Sequence, residues 1–568
     1  MIGRWLARAA LVAAMLASLL GAAAAVAQET GNRADRVRVA FPRDDGTLTP
    51  YTFELGYPLM TLVYDTLYWR GGGGGAEPWL ARRLRKEEAG TRLEILLQRG
   101  ARWHDGRPVT PADVEFSYEY FKSRYHPRFT PQLDPVVDAE VVDDRTVAIN
   151  LEHATPGFEQ VLADVPILPR HLWEGLVEGQ TPDGPPIGSG PYRLVRHRVD
   201  ESYRFRANRD YFRGEPRVDT IDVPFIRDFE RTVRALRNDD VDMIPVTLPQ
   251  DEEEGIRSSR VKVDTGTLYA GTALMFNTRE PPFDAVRARQ AVSSALDLSR
   301  ITAATVGADP DSYQADRGYF HPESRFAAEG ALHRFDESRA RSELDQLGLP
   351  PIRVLAPDND PVRAEAARQV SLALRRAGAI ATSEEVSPGQ LAAAVGQNGS
   401  SPDFQVAIWS TPPLASYNPN FLSVVFGSES QELSPLNYSG YTEPEFDRLA
   451  GLAERETNPA ERSQLVRRQL DLLTRDAPVV PLFYPKGAFA YRPSIYDGWV
   501  YVAGTGILDK RSFLPQSAGS GEGSGASPLA GSRGSGGGIG ALGIVALAML
   551  AAVALFLGLG VIARVRAR

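Results

Sequence analysis

"RGARWHDGRPVTPADVEFSYEYF", residues 99–121, holds a turn and a helix start in one run. His104, Asp105 and Gly106 form the turn. Thr110 is a natural N-cap, Pro111 suits the first helical position, and Asp113 places its charge where a helix N-terminus favours it. A second start is expected in "PPFDAVRARQAVSSALDLSRI", residues 281–301, where Asp284 would cap and Ala288, Ala291, Val292, Ala295 and Leu296 share one stripe at helical spacing. Short strand-like runs surround these helices: "RVRVAFP" from Arg36, "RLEILLQ" from Arg92, "TVAINLE" from Thr146, "YRLVRHR" from Tyr192 and "SYRFRAN" from Ser202. Strands interleaved with helices give a mixed α/β class with more than one sheet. No repeat of fixed period is present.

The stretch from about residue 28 to 515 is too long for one ordinary core and predicts two or three domains. Over the full chain, 43% hydrophobic and 24% charged residues are ordinary globular values, and the net charge of −9 is modest for 568 residues. Nothing here points to nucleic acid. Arg82, Arg83, Arg85 and Lys86 are followed at once by Glu87 and Glu88, which reads as a solvated face.

Both ends of the chain read as membrane-directed. Arg4 and Arg8, the apolar run Ala9 to Leu20 and the small residues Ala25 to Ala27 have the layout of a secretory signal peptide over residues 1–27. Residues 516–538 are Gly/Ser-rich, and such a flexible linker spans roughly 26 Å root-mean-square. Residues 539–563 carry no charge and are long enough, at about 1.5 Å per residue, to cross a hydrocarbon core of about 30 Å. Arg564, Arg566 and Arg568 follow in the tail 564–568 and mark the cytoplasmic side. The expected localisation is therefore a single-pass cell-membrane protein with a large N-terminal, extracytoplasmic part. The sequence has no cysteine, which excludes disulfides and a lipid-modified N-terminal cysteine.

Signals for catalysis or metal binding are absent from the sequence. There is no HExxH and no GxSxG, and Gly71 to Gly75 is not followed by Lys and Ser or Thr, so it is no phosphate loop. His104, His126, His153, His171, His197, His321 and His333 have no pair at ligand spacing. Asp251 to Glu254 reads as a solvated helix end. No cofactor, no metal site and no enzymatic activity are expected.

Several blocks together resemble a family. "LVYDTLYWR" and "EPWLARRLR", the stretch 99–121, "GSGPYRLVRHRVDESYRFRANRDYFRGEPRVDTI", "MFNTREPPFDAVRARQAVSSALDLSRI" and "YTEPEFDRLAGLAERETNPAERSQLVRRQLDLLTRDAPVVPLFYP" are similar, in order, to the signature blocks of the extracellular solute-binding proteins of family 5, the peptide, nickel and oligosaccharide receptors of ABC importers. The resemblance implies a type II periplasmic-binding-protein fold with three domains: domain I from residues 36–68, 189–273 and 486–515, domain II from 69–188 and domain III from 274–485. It implies a ligand held between domains I and III, which close by hinge motion, and delivery to a permease and ATPase complex. Two other roles stay open: a ligand-sensing ectodomain without transport, and an exported, membrane-anchored hydrolase.

Peptide-binding members of the family carry a tryptophan, then an aspartate that pairs with the peptide ammonium, then a proline. The corresponding stretch is "DFQVAIWSTPPLASYNPNFLSVVFGS", residues 403–428. Trp409 and Pro419 match, but residues 410–418 hold no acid, and a buried ammonium without a carboxylate is costly. Neutral polar groups around an aromatic platform suit a sugar, a blocked peptide or another polar solute. Trp409 is expected to stack on the ligand, Tyr417 and Asn418 to hydrogen-bond it, and Asn277 and Tyr484 to line the same cleft; each is equally readable as a core or hinge residue.

Overall fold

The computed structural model describes residues 33–515, apart from 52, 54–55, 72–74, 88, 178, 246–247, 249, 259, 308–312, 316–317, 331, 398–399 and 429–435. The signal peptide, the linker, the transmembrane segment and the tail expected at residues 1–27 and 516–568 lie outside the described residues. Among those described, no helix is long and apolar enough to cross a membrane.

The chain enters through β1 (Ala34–Arg38) and makes a short hairpin of β2 (Tyr68–Arg70) and β3 (Ala76–Pro78). A four-stranded antiparallel sheet follows, with β4 (Ala81–Lys86), β5 (Arg92–Leu97), β6 (Val136–Val141) and β7 (Thr146–Leu151) in the order β4-β5-β7-β6. Strict alternation buries Leu93, Ile95 and Leu97 on one face. The helix Pro111–Ser123 covers that face with Val114, Tyr118 and Phe121. Its start is as the sequence predicts: the Asp113 carboxylate accepts from the Thr110 backbone N–H and hydroxyl, both at 2.8 Å.

The chain then returns with β8 (Tyr192–Arg198), β9 (Ser202–Ala207) and β10 (Val218–Pro224), completing the sheet β1-β10-β9-β8. Just before β8, the motif "GSG" lies against the backbone of Val63. A Cβ at Gly190 would stand 2.7 Å from the Val63 carbonyl carbon, so only glycine permits this approach. His104 fastens the same loop, with Nε2 3.0 Å from the Gly190 carbonyl. That histidine is thus a structural clasp, and its burial pushes its pKa down to about 4.

Next, β11 (Met243–Ile244) and β12 (Lys262–Thr267) form a three-stranded sheet with a strand made much later, β19 (Lys486–Tyr491). Between β12 and β19 the chain builds β13 (Thr272–Phe276), β14 (Tyr313–Gln314), β15 (Ile352–Pro357), β16 (Ala381–Val386), β17 (Val406–Ser410) and β18 (Val479–Tyr484), in the order β14-β18-β13-β17-β15-β16. One core packs a face of this sheet against the helices Val286–Ser294, Leu298–Val306, Glu337–Leu347 and Pro361–Arg376. A second packs the other face against Pro388–Val395, Phe421–Phe426, Pro444–Arg455 and Pro459–Asp476. Helices on both faces of a mixed sheet make a three-layer α/β unit.

Two sequence expectations change here. Residues 281–301 form two helices: Val286–Ser294 starts after Ala285, not at an Asp284 cap, and Asp297 caps the next by accepting from the Arg300 N–H at 3.2 Å. The expected stripe is nonetheless buried. The run 251–254 is no wholly solvated end either, because Glu253 is buried and paired with Lys486 at 3.4 Å.

The closing segment folds back onto the beginning. Lys510 Nζ lies 2.8 Å from an Asp65 carboxylate oxygen, and both side chains are fully buried. Asp65 also accepts from Trp79 Nε1 at 2.9 Å, the Tyr211 hydroxyl at 3.0 Å and the Ser189 hydroxyl at 3.2 Å. The ammonium lies over the rings of Trp69 and Trp79 at 4.0 and 4.4 Å. Satisfied on every side, this buried pair ties residues 65, 189, 211 and 510 into one knot.

Candidate functional site

Strand direction decides which predicted residues can meet. β15 and β17 are parallel, and their carboxyl ends lie together, the edge where ligands bind in sheets of this kind. Trp409 and Ser410 close β17 at that edge. β13 is antiparallel to β17, pairing Thr272 with Ser410 and Phe276 with Val406. Asn277 follows Phe276, its N–H donating to the Gln405 carbonyl at 3.1 Å. It therefore stands four β17 residues from Trp409, about 13 Å along the strand. Asn277 turns the chain there, its side-chain oxygen accepting from the Arg279 N–H at 3.3 Å. The structure does not bring it to the others.

Trp409 is half-buried, edge-on to Tyr438 with ring centroids 5.3 Å apart. Beside it the helix Pro361–Arg376 begins, capped by Asp360, and delivers Arg363 to the same edge. The Arg363 guanidinium donates to the Ser410 hydroxyl at 2.6 Å and pairs with Asp360 at 3.3 Å. Sequence reading missed Arg363: its signal, an arginine in the first turn after a strand and a capping aspartate, is common to many surface helices.

Tyr417 and Tyr484 are joined through two residues the sequence did not single out. Tyr417 meets Tyr269 with centroids 4.8 Å apart, Tyr269 meets His321 at 5.4 Å, and His321 meets Tyr484 at 5.1 Å. The Tyr417 hydroxyl donates to the Ala503 carbonyl at 2.9 Å, and the Tyr484 hydroxyl to the Gly318 carbonyl at 3.2 Å. Burial raises both phenols well above their usual pKa, so both remain donors. His321 is buried and pushed down to about 4, hence neutral.

This aromatic row follows the two chain crossings between the sheets. β12 runs through Leu268 to Gly271 into β13, and β18 runs through Pro485 into β19. Gly271 must be small, because a Cβ there would stand 2.7 Å from the Tyr484 ring and 2.8 Å from the Thr411 hydroxyl. The Thr267 hydroxyl donates to Glu323 at 2.6 Å across the same seam.

A narrow crevice opens beyond Tyr417, lined by Arg70, Gln132 and Gln160 on one side and Asn418, Asn420 and Glu454 on the other. The Asn418 side-chain oxygen accepts from Arg462 at 3.2 Å and from the Asn420 N–H at 3.2 Å. Arg70 lies over the Tyr417 ring at 5.3 Å and is held by the buried Asp164, which also pairs with Arg128 at 2.7 Å. Two guanidinium groups keep the Asp164 carboxyl far below the usual carboxylate range despite its burial. Burial raises the Glu454 carboxyl, opposed by His153 at 3.9 Å. Among the described residues no three His, Asp or Glu converge as a metal site.

The architecture has counterparts among solved structures. It is similar to DppA from Helicobacter pylori in complex with the peptide STSA (TM-score 0.73, 20% identity, 86% of this chain and 99% of that one). It is equally similar to NikZ from Campylobacter jejuni in complex with Ni(L-His) (TM-score 0.73, 21% identity, 84% and 97%). In sequence it is 23% identical over 449 residues to the oligopeptide-binding protein AppA of Bacillus subtilis, covering 74% of this chain and 80% of that one. Residues 75–432 match the description of the bacterial extracellular solute-binding proteins, family 5 middle region. With more than half its length in that match, the chain belongs to the bacterial extracellular solute-binding proteins of family 5, as its ordered signature blocks lead one to expect.

Proposed function

We propose that this protein captures a polar, peptide-like solute between the β11-β12-β19 sheet and the six-stranded sheet and delivers it to the permease of an ABC importer, without catalysis. The observation that carries this reading is the pair of short crossings, 268–271 and 485, bordered by side chains that reach across the seam: Tyr417 to Ala503 and Thr267 to Glu323. Two crossings with separate cores on either side are what a hinge requires. The domain ranges expected from the sequence, with domain I assembled from 36–68, 189–273 and 486–515, belong to the proposal.

Relatives named for oligopeptides, or solved with a peptide or a nickel–histidine complex, support a polar ligand with amino-acid chemistry. The arginine near Trp409, in a stretch without the aspartate of peptide receptors, favours a ligand whose carboxylate points to this edge. Trp409 supplies the apolar platform, with Tyr417, Asn418 and Tyr484 near the seam. The signal peptide and the apolar segment 539–563 complete the reading as a receptor tethered outside the cytoplasm, where tethering raises its effective concentration at the permease.

A thermal-shift series on the purified chain tests this. A ligand that binds only the native state raises the Tm. Free peptides and N-blocked peptides are expected to raise it, and peptides amidated at the C-terminus to do so much less. A response to oligosaccharides alone would overturn the carboxylate reading, and no response to any of these solutes would overturn the peptide-like class.

A further inference from the structure

We propose that the solvent face of the β1-β10-β9-β8 sheet rests on the anionic phospholipid headgroups of the membrane that holds the chain, an inference that builds on the tethered reading above. The register puts arginines in two rows across this face. Arg193, Arg206, Thr220 and Arg36 form one, and Arg196, Arg204, Asp222 and Arg38 the other. The opposite face of the same strands carries Leu194, Phe205, Ile221 and Val37 in the core.

Asp222 pairs with Arg36 and Arg204, and Asp242 with Arg38. Arg196 and Arg206 are exposed, and among the described residues their guanidinium groups have no ion pair or hydrogen bond. Like charges directly opposite each other destabilise a sheet, yet Arg196 faces Arg204, and Arg206 faces Arg193, whose guanidinium donates to the His104 carbonyl at 2.5 Å and to the Asn208 side chain at 3.3 Å. An external anionic surface is the natural counterpart of such an arrangement.

The position of the chain's exit gives the second argument. The last described residue, Pro515, packs 3.0 Å from the place a Cβ would take on Gly214, and the Phe513 carbonyl accepts from the Arg217 N–H at 2.8 Å. Val218, the next residue, opens β10. The chain thus leaves beside the end of this sheet nearest the row of Arg193, Arg206 and Arg36. Beyond it lie the Gly/Ser-rich run 516–538, with a reach of roughly 26 Å, and the apolar run 539–563. A tether of that reach starting there allows the basic face to reach the bilayer, where arginines near an anionic surface are attracted over about a Debye length. The face is broad and carries no aromatic anchor of the kind that dominates protein–protein contacts. Lipid headgroups fit it better than a protein partner.

The lack of cysteine makes the test direct. Val195, 45% exposed next to Arg196, is replaced by cysteine in the full chain and labelled with a fluorophore. The protein is reconstituted into nanodiscs containing headgroup-quencher lipids, either in phosphatidylcholine alone or in phosphatidylcholine and phosphatidylglycerol at about 3:1. Quenching is expected in the anionic discs at about 50 mM NaCl, lost at about 500 mM, and reduced to the phosphatidylcholine level by R196E/R206E. Equal signals in both lipids and in the variant would overturn the proposal. So would a label unquenched by lipid but shielded when the permease complex is added, which would make the face a protein-docking surface.

Flotation with vesicles separates the tether from the face. Failure to float at about 1 M NaCl refutes the tethered reading. Flotation with phosphatidylglycerol vesicles at low salt then still decides the face: binding lost in R196E/R206E supports it, and no binding overturns it.

Discussion

The Tyr417 hydroxyl donates to the Ala503 carbonyl at 2.9 Å, joining the segment after β17 to the one after β19. If the lobes close by this contact, removing it should loosen the closed form. Tyr417→Phe keeps the ring against Tyr269 and deletes only the hydrogen bond, which is worth about 0.5–1.5 kcal/mol. Ligand affinity measured by calorimetry is expected to fall by about two- to tenfold with little change in the Tm of the unliganded protein. Unchanged affinity would remove Tyr417 from the closure mechanism.

Gly504 lies beneath that contact, with φ +90°, and a Cβ there would stand 2.7 Å from the Tyr269 ring and closer still to the Tyr417 hydroxyl. Gly504→Ala adds backbone strain to steric overlap, each costing on the order of 1–3 kcal/mol. A Tm lower by several degrees is expected, read by differential scanning calorimetry. A smaller effect in the Tyr417→Phe background would show that the two residues share the cost.

Three buried histidines set the acid side of the stability profile. Burial is the leading cause in each: it lowers His104 and His321 to about 4 and His126 to about 3. Arg128 lowers His126 further, while Glu323 opposes the shift at His321. In the unfolded chain each titrates near about 6.5. Between those values the unfolded state binds more protons, so the stability contribution is complete above about pH 6.5 and falls as the pH drops toward 4. The slope is about 1.4 kcal/mol per pH unit for each histidine. Urea unfolding at pH 7, 6 and 5 should show this decline, and His321→Gln should reduce the slope by about one proton's worth.

Much of the fold is legible in the sequence because its signals are local. The strand-like runs beginning at Arg92, Thr146, Tyr192 and Ser202 fall in strands, the run from Arg36 begins in β1 and continues as isolated bridges at Val39 and Phe41, and Thr110 with Asp113 starts the helix where the capping pattern says. The site is less legible because it depends on strand direction and on distant segments. "TALMFNT" gives a strand with Asn277 at its end, but not that β13 runs antiparallel to β17 and carries Asn277 away from Trp409. Likewise, Tyr269 and His321 gain meaning only when the crossings bring them between Tyr417 and Tyr484. Asp65 and Lys510, 445 residues apart, have no local signal at all.

That pair predicts an asymmetry. Lys510→Met leaves the buried Asp65 carboxylate with hydroxyl and indole donors but no cation, and removing one member of a buried pair costs about 3–5 kcal/mol. Asp65→Asn together with Lys510→Met removes both charges, and the double variant should be more stable than Lys510→Met alone. Guanidinium unfolding of the four proteins closes the cycle. Additive losses would mean that the two groups do not act as a pair.

Trp409 and Arg363 stand at the carboxyl edge of β17 but contribute differently to the proposed ligand contact. Trp409 is half-buried and packs edge-on to Tyr438, so Trp409→Ala removes a platform while most of the core behind it, Ala273, Ala407 and Met275, stays in place. Loss of a stacked aromatic at the centre of a binding surface costs about 2 kcal/mol, or about 30-fold in Kd. Arg363→Gln keeps a donor near the Ser410 hydroxyl while deleting the charge. If a ligand carboxylate lies at this edge, the glutamine variant should discriminate: affinity for a free-carboxylate peptide falls about tenfold or more, and affinity for its amide barely moves. Equal losses for acid and amide would assign Arg363 to shaping the edge through Asp360 and Ser410 rather than to recognising charge. Titration calorimetry with the acid and amide pair, run on both variants, separates the platform from the charge.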